Sequence, residues 1–365
     1  MKKILVMSHS PFVSGAEVLL ISLAEKMKQK GIHLDFLLTS SECDKYNSED
    51  MLLNHIQLRG LRYFVFPIKV KNKFFSIDER LKMFTFLKRK SYDIILFNSS
   101  QIAVLFAPLK KFLDSKLIFW SHSYRSKFTM RFISFFVDKI VGVSPLMKNV
   151  YDPSKTVTIY PGLYDNNVSN SNGILFSETG FDRNSFIVGS IGRIHPEKNL
   201  DDIILLAKET ESNVKFVYIG RKMFHQGTYE SRIIEKIKIN NLEDRIKLIG
   251  YRDNVFNYLA DFDLLLHTSK NESIGLSPIE GWMNKKCVLI RKYKYFPEVI
   301  FKDSENCLVY TDFEEMVSKF ELIYRNEDYR KKIGKKGRST FVEHFTVDKM
   351  AESFYELFRI ISPDN

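Results

Sequence analysis

Two short segments of this 365-residue chain gather side chains suited to an anionic, hydroxyl-rich ligand. The first is Gly192-Arg193-Ile194-His195-Pro196-Glu197-Lys198-Asn199. Arg193 offers a planar fork matched to phosphate oxygens, and Lys198 a compact point charge. The second is Lys270-Asn271-Glu272-Ser273-Ile274-Gly275-Leu276-Ser277-Pro278-Ile279-Glu280. Its two glutamates can accept hydrogen bonds from vicinal hydroxyls, such as those of ribose or a hexose. Ser277-Pro278 reads as a helix start, since proline suits the first turn. Backbone N–H groups near Gly275 and Leu276 would then point at an anion. On that reading Glu280 lies in the first turn and Glu272 in the loop before it. Two weaker signals are His122, in residues 119–124, and Ser14-Gly15-Ala16-Glu17, where Gly15 allows a close backbone approach to a ligand. Plainer readings compete: a solvated loop around Arg193, a structural histidine at 122, and macrodipole complementation by Glu280, worth under about 1 kcal/mol.

The elements that would position these residues follow from periodicity. Residues 3–7, 33–38, 63–66, 94–97, 117–120 and 140–143 read as buried strands. Stretches of helical spacing separate them, such as Val18, Leu19, Ser22, Leu23 and Lys26. A second series follows at 186–191, 215–219, 246–249, 264–267 and 288–290. Between the two series, residues 162–185 are rich in Asn, Ser, Gly and Asp and read as an interdomain linker. Alternating strands and helices imply parallel sheets, hence α/β architecture with two Rossmann-like domains, as the chain length also suggests. Ligands of such sheets bind beyond the carboxyl ends of strands, and all four chemistry-bearing segments sit at or just after such ends. Two domains facing each other would form a cleft lined by these loops. There is no G-x-G-x-x-G fingerprint and no P-loop, which argues against a nicotinamide domain or a P-loop nucleotidase.

Charge is distributed unevenly. Residues 1–172 hold 25 Lys/Arg against 14 Asp/Glu, a balance of +11, whereas residues 173–365 hold 30 of each. One half therefore carries the whole excess and is expected to meet an acidic partner. The three cysteines, Cys43, Cys287 and Cys307, are scattered and lack metal-ligand spacing, which suits a reducing cytosol. Met1-Lys2-Lys3 leads into only four apolar residues, too few for a signal-peptide core, and no run of 18 apolar residues could span a membrane. Aromatic and cationic residues interleave at 62–73, 74–90 and 125–139. Ser76 and Glu79 make a capping box for the second of these. On a helix, Phe128, Phe132 and Phe135 share one face, and Lys127, Arg131 and Ser134 another. That pattern suits an anionic membrane surface; an ordinary amphipathic helix packed on the sheet is the plainer reading. No nucleic-acid module motif is present, and no nucleic-acid partner is expected.

Together these residues resemble glycosyltransferase family 4, retaining nucleotide-sugar transferases of GT-B fold. The likeness runs through nearly the whole chain. The family's G-G-x-E appears as Ser14-Gly15-Ala16-Glu17, its strand-end histidine as His122, and its I-P-N-G-V-D stretch as residues 159–167. Its G-R-x-x-x-x-K-[GN] matches residues 192–199, its E-x(7)-E matches Glu272 and Glu280, and residues 297–300 resemble its following loop. After the second glutamate the chain departs from the family, with Lys285 in place of a glycine and Cys287 of a proline. These positions fall at a helix end and a strand start and bear on packing. The resemblance implies residues 1–168 as acceptor domain, residues 172–345 as donor domain, and a final helix within 347–365 crossing back to the first. It implies that Arg193 and Lys198 hold the donor diphosphate, Glu280 the ribose, and Glu272 the transferred sugar, with the Ile274-Gly275-Leu276 backbone assisting. His122 would bond that sugar, the Gly15-Ala16 backbone would approach the diphosphate, Gly192 would belong to the donor-binding site, and the base would lie near Tyr251 and Arg252. UDP-linked sugars are expected ahead of GDP-mannose. The expected acceptor is a glycan or lipid-linked glycan in surface polysaccharide or glycoconjugate assembly. No cofactor and no metal is expected: Asp261-Phe262-Asp263 forms a D-x-D, but Asp263 opens a buried strand, and the two cations already serve the diphosphate. A nucleotide-sugar epimerase or hydrolase of the same fold, and a non-catalytic sugar-nucleotide-binding protein, are the alternatives.

Overall fold

A computed structural model describes residues 2–10, 13–40, 52–68, 77–165, 173–221, 227–252 and 254–363. Cys43, Ser76 and the expected boundary positions 168 and 172 lie outside them. The chain divides into two compact units, Met1–Tyr164 with Phe345–Asn365, and Asp165–His344.

The first unit runs β1 (Lys3–Ser8), α1 (Gly15–Gln29), β2 (His33–Ser40), α2 (Leu52–Leu58), β3 (Tyr63–Ile68), α3 (Ile77–Lys90), β4 (Ile94–Phe97) and α4 (Ser100–Phe106). A 3-10 turn, Ala107–Phe112, leads to β5 (Lys116–Ser121), α5 (Lys127–Phe136), β6 (Lys139–Gly142) and β7 (Thr156–Thr158). The sheet order is β3-β2-β1-β4-β5-β6-β7, and every pair is parallel. The second unit runs α6 (Ile174–Thr179), β8 (Phe186–Ile191), α7 (Leu200–Glu209), β9 (Val214–Ile219), α8 (Gly227–Ile239), β10 (Ile246–Gly250) and α9 (Val255–Leu259). It continues with β11 (Leu264–His267), α10 (Leu276–Met283), β12 (Cys287–Arg291), β13 (Leu308–Tyr310), α11 (Phe313–Arg325) and α12 (Glu327–His344). Its order is β10-β9-β8-β11-β12-β13, again parallel throughout. The central strands are buried along their whole length, apolar except for His267 at the end of β11, because both of their faces are covered. In each sheet the strand order reverses once, between β1 and β4 and between β8 and β11. Such a switch point opens a crevice at the carboxyl ends of the two strands.

The α/β reading of two parallel sheets is therefore met, with two local differences. Strands β7 and β13 were not expected; at three residues each they are too short to show periodicity. Residues 174–179, inside the expected linker, are helix α6. Gly173 and Gly180 bracket it at φ 70° and 72°, so the glycine there is cap chemistry rather than loop composition. The final helix, α13 (Val347–Ile361), belongs to the first unit. Its Phe354 packs on Trp120 with ring centroids 4.6 Å apart, and Lys26 of α1 and Lys30, the cap that closes it, pair with Asp348 and Glu352.

The Lys285 departure also acquires a cause. Lys285 N–H donates to the Trp282 carbonyl and Lys286 N–H to Gly281, closing α10 in a Schellman motif. That motif holds Lys285 at φ 58° while its side chain is exposed. A β-carbon is disfavoured there, so Lys285→Gly is expected to raise stability by about 0.5–1 kcal/mol, net of the extra unfolded-chain entropy of glycine. Thermal or urea denaturation reads this directly; a loss of stability would contradict it.

Candidate functional site

The switch point of the second unit carries both of the first two segments. β8 and β11 pair with Val188 opposite Leu264 and Gly189 opposite Leu265. A β-carbon on Gly189 would sit 1.8 Å from the Phe262 ring, so only glycine fits. Beyond β8, a β-carbon on Gly192 would lie 3.2 Å from both Lys198 Cε and the Tyr218 hydroxyl, so its absence leaves room for the lysine stem. Residues Pro196–Lys198 form a 3-10 turn whose N-cap is His195, with Nδ1 accepting from Glu197 N–H at 3.2 Å. The turn is fastened to the loop after β11. Thr268 Oγ1 donates to the Lys198 carbonyl at 2.6 Å, and Lys270 N–H to the Glu197 carbonyl at 2.8 Å.

This bracing brings the Lys198 ammonium onto Glu272 Oε1 as a partly buried ion pair. Burial opposes the Glu272 charge, but the Lys198 ammonium, His267 and hydrogen bonds from Lys198 and Ser269 outweigh it and hold the carboxyl below its ordinary value. Arg193 is exposed, and its carbonyl accepts from the Tyr218 hydroxyl at 3.1 Å. The cluster can thus present two cations and a fixed carboxylate to a charged ligand.

Helix α10 begins earlier than expected. Its cap is Gly275 at φ 79°, and Leu276 is the first helical residue. Glu280 is therefore the fifth helical residue, beyond the first turn, which corrects the expected placement and removes macrodipole complementation as its explanation. Its side chain is half-buried, and burial, only partly offset by Lys198, pushes its carboxyl up to about 7. The Ile274 carbonyl accepts from the Tyr293 hydroxyl at 3.1 Å, which fixes the loop ahead of Gly275. One residue of this cluster was missed from sequence. His267, at the end of β11, is buried and kept neutral, its pKa pushed down to about 4. Its Nδ1 contacts Ser277 Oγ at 3.0 Å, and its Nε2 stands 3.8 Å behind Glu272 Oε1. The available signal was one polar residue ending an otherwise apolar strand.

Of the expected base-side residues, Tyr251 is exposed and stacks under the Arg221 guanidinium, 4.7 Å from the ring centroid. Arg252 is otherwise engaged: it pairs with Glu178 of α6, donates to the Tyr258 hydroxyl at 3.0 Å, and donates to the Tyr251 carbonyl at 2.8 Å. Asp263 accepts from Ile187 N–H at 2.8 Å, a structural bond between β8 and the start of β11.

The remaining candidates belong to the first unit. His122 follows β5, and its Nε2 lies 2.8 Å from Asn98 Oδ1, just past β4. Burial pushes its pKa down to about 3, so it is a neutral imidazole, packed on Trp120 at 4.7 Å. Ser14 precedes α1, and Gly15 and Ala16 are its first two residues. Glu17 turns its carboxylate back to accept from Ser14 N–H at 3.2 Å and from the Ser14 hydroxyl. The acid of this motif is thus a buried helix cap that shapes the loop.

Comparison with known proteins agrees with this architecture. Residues 172–340 match the family of Glycosyl transferases group 1. The poly(ribitol-phosphate) alpha-N-acetylglucosaminyltransferase of Staphylococcus aureus is 29% identical over 177 residues, 47% of this chain and 35% of that protein. The O-antigen biosynthesis glycosyltransferase WclY of Escherichia coli is 22% identical over 61% of this chain and 62% of its own length. The chain thus spans between about a third and two thirds of these relatives. Among solved structures, Anabaena HepE in complex with UDP-glucose superposes with a TM-score of 0.85 at 19% identity, covering 99% of this chain and 100% of that one. S. aureus TarM in complex with UDP gives 0.76 at 15% identity, covering 98% and 100%. The fold is GT-B.

Proposed function

We propose that this chain, whose residues 172–340 form a Glycosyl transferases group 1 domain, is a family 4 glycosyltransferase. It moves a sugar from a nucleotide-sugar donor to a hydroxyl of a glycan or lipid-linked glycan, with retention at the anomeric carbon. A UDP-linked sugar is favoured and GDP-mannose comes second. The observation that carries this reading is the Lys198–Glu272 pair braced at the β8/β11 switch point, with Glu280 one helical turn into α10. HepE with UDP-glucose and TarM with UDP share the fold, and the S. aureus and E. coli relatives are named for polymer glycosylation.

The residues divide the work by charge. Lys198 and Arg193 take the diphosphate and stabilise the charge that grows on it as the glycosidic bond breaks. Glu272, released from Lys198 by the competing phosphate, accepts a hydroxyl of the transferred sugar. Glu280 accepts the ribose hydroxyls. In the first unit, neutral His122 offers an uncharged imidazole to a sugar hydroxyl, and the α1 start at Gly15 and Ala16 offers backbone N–H groups. Departure and attack occur on one face: the leaving phosphate oxygen takes the proton of the acceptor hydroxyl, which then bonds to the anomeric carbon. This route needs positioning and charge stabilisation, without a covalent carboxylate intermediate. No metal is required, because the two cations meet the diphosphate. On this reading the protein works peripherally at the inner face of the membrane.

The test is a thermal-shift screen of nucleoside diphosphates in EDTA, followed by assays of nucleotide-sugar hydrolysis and transfer. A diphosphate at a hundredfold excess over its Kd should stabilise by about 2.7 kcal/mol, and NMR of the transfer product should show the donor's anomeric configuration. No shift with any nucleoside diphosphate and no turnover of any nucleotide sugar would overturn the reading; an inverted product would overturn the retaining route.

A further inference from the structure

Helix α5 has more apolar surface than its unit covers. Met130, Ile133 and Ser134 face inward and are buried, which corrects the expected place of Ser134 beside Lys127 and Arg131. The phenylalanine face is a different one, and it points outward: Phe128 is 80% exposed and Phe135 73%. The rings form a continuous row, with centroid separations of 6.5 Å for Phe128–Phe132, 5.1 Å for Phe132–Phe136 and 4.9 Å for Phe135–Phe136. The turn Ala107–Phe112 packs beside α5 and adds Phe112, 65% exposed, whose ring meets Phe84 of α3 at 6.0 Å. A helix packed only on its sheet would place its largest apolar side chains inward, so this row is surface held ready for another apolar phase.

The charges around the row select that phase. Lys127 and Arg131 of α5 and Lys111 of the adjoining turn are exposed, and none of them forms an ion pair among the described residues. Neither α5 nor the turn contains an acidic residue. An unopposed cationic rim around an aromatic row complements an interface that is apolar within and anionic at its surface. We propose that this face, centred on Phe128 and Phe135 and rimmed by Lys111, Lys127 and Arg131, docks on an anionic phospholipid bilayer, the rings entering the headgroup–acyl boundary. This assigns a surface to the peripheral placement given above and rests on that placement. A second copy of the chain would meet a like-charged rim, which argues against self-association through this face.

Flotation of the 365-residue chain with vesicles tests the assignment. Binding is expected to vesicles containing phosphatidylglycerol, much more weakly to pure phosphatidylcholine, and less at raised salt. Lys127→Glu with Arg131→Glu should lower partitioning onto anionic vesicles by at least about tenfold. Phe128→Ser with Phe135→Ser should lower it by at least about tenfold while leaving the melting temperature near wild type. Wild type that stays unbound to anionic vesicles, variants that bind like wild type, or self-association abolished by the phenylalanine variant would each overturn it. Nucleoside-diphosphate thermal shifts measured on the same variants separate the two readings. A retained shift without flotation sinks only the docking face; flotation without any shift sinks only the transferase assignment.

Discussion

Lys198→Ala is expected to lower turnover by about 10²–10³-fold at saturating donor, the scale of losing one charge-stabilising group from a reaction centre. The lysine is the cation most firmly held near the switch point, since its turn is tied to the loop after β11 through Thr268 and Lys270. Removing it takes charge from the place where the leaving diphosphate gathers it. Stability should fall as well, because Glu272 loses its cation, but by no more than about 3 kcal/mol in this partly exposed pair. The pH dependence identifies the cause. In the wild type, Glu272 titrates below its ordinary 4.5. The pair's contribution is therefore complete above that value and disappears as pH falls through the lower folded one. Without Lys198 the largest opposition to burial is gone, so the Glu272 contribution should reverse sign and weaken the fold as pH rises. Urea melts from about pH 4 to about pH 8, set beside kcat at each pH, measure both effects. Near-wild-type turnover in Lys198→Ala would remove this residue from the mechanism. A matching loss of turnover and folded fraction would reduce it to a structural role.

Glu280→Gln has the second-largest expected effect and two independent readouts. The folded carboxyl keeps its proton up to about 7, whereas the unfolded one releases it near 4.5. Between those values the folded chain binds more protons than the unfolded chain, so the Glu280 contribution to stability declines as pH rises. For a half-buried side chain the decline is at most about 3 kcal/mol. Glutamine carries no such titration, and the variant's stability should be flatter across that window. The same carboxylate, once ionised, is the acceptor for ribose hydroxyls. Its loss should weaken nucleoside-diphosphate binding by about 10- to 100-fold, the worth of a charged hydrogen bond. A dideoxyribose analogue should bind wild type and variant alike. An unchanged pH profile would show that Glu280 is not held protonated, and equal ribose discrimination in the two proteins would sink its role in the donor site.

The parts of this protein legible in its sequence are those that local spacing determines. Residues 186–191 and 264–267 read as strands from their apolar runs, and they are β8 and β11 as observed. Because both segments rich in charge follow these strands directly, their arrival at one sheet edge was legible too. Strands β7 and β13 were not, since three residues carry no period. The cap of α10 was misplaced because Pro278 is as acceptable at the third helical position as at the first, and the φ of Gly275 decided between them.

What sequence alone determined, then, is a pair of parallel α/β units and the residue types at their strand ends: both arise from interactions between near neighbours along the chain. Tertiary structure decided everything that depends on desolvation or on a partner far away in sequence. It put Lys198 on Glu272 across 74 residues and committed Arg252 to Glu178 across the same separation. It buried His267 and His122 until both are neutral and raised Glu280 into the neutral range. On α5 it chose which of two apolar faces meets the sheet, a choice the helical wheel leaves open because both faces are apolar. The charge state of a side chain and its exposure are set by the three-dimensional density of neighbours around it, and no one-dimensional spacing contains that density.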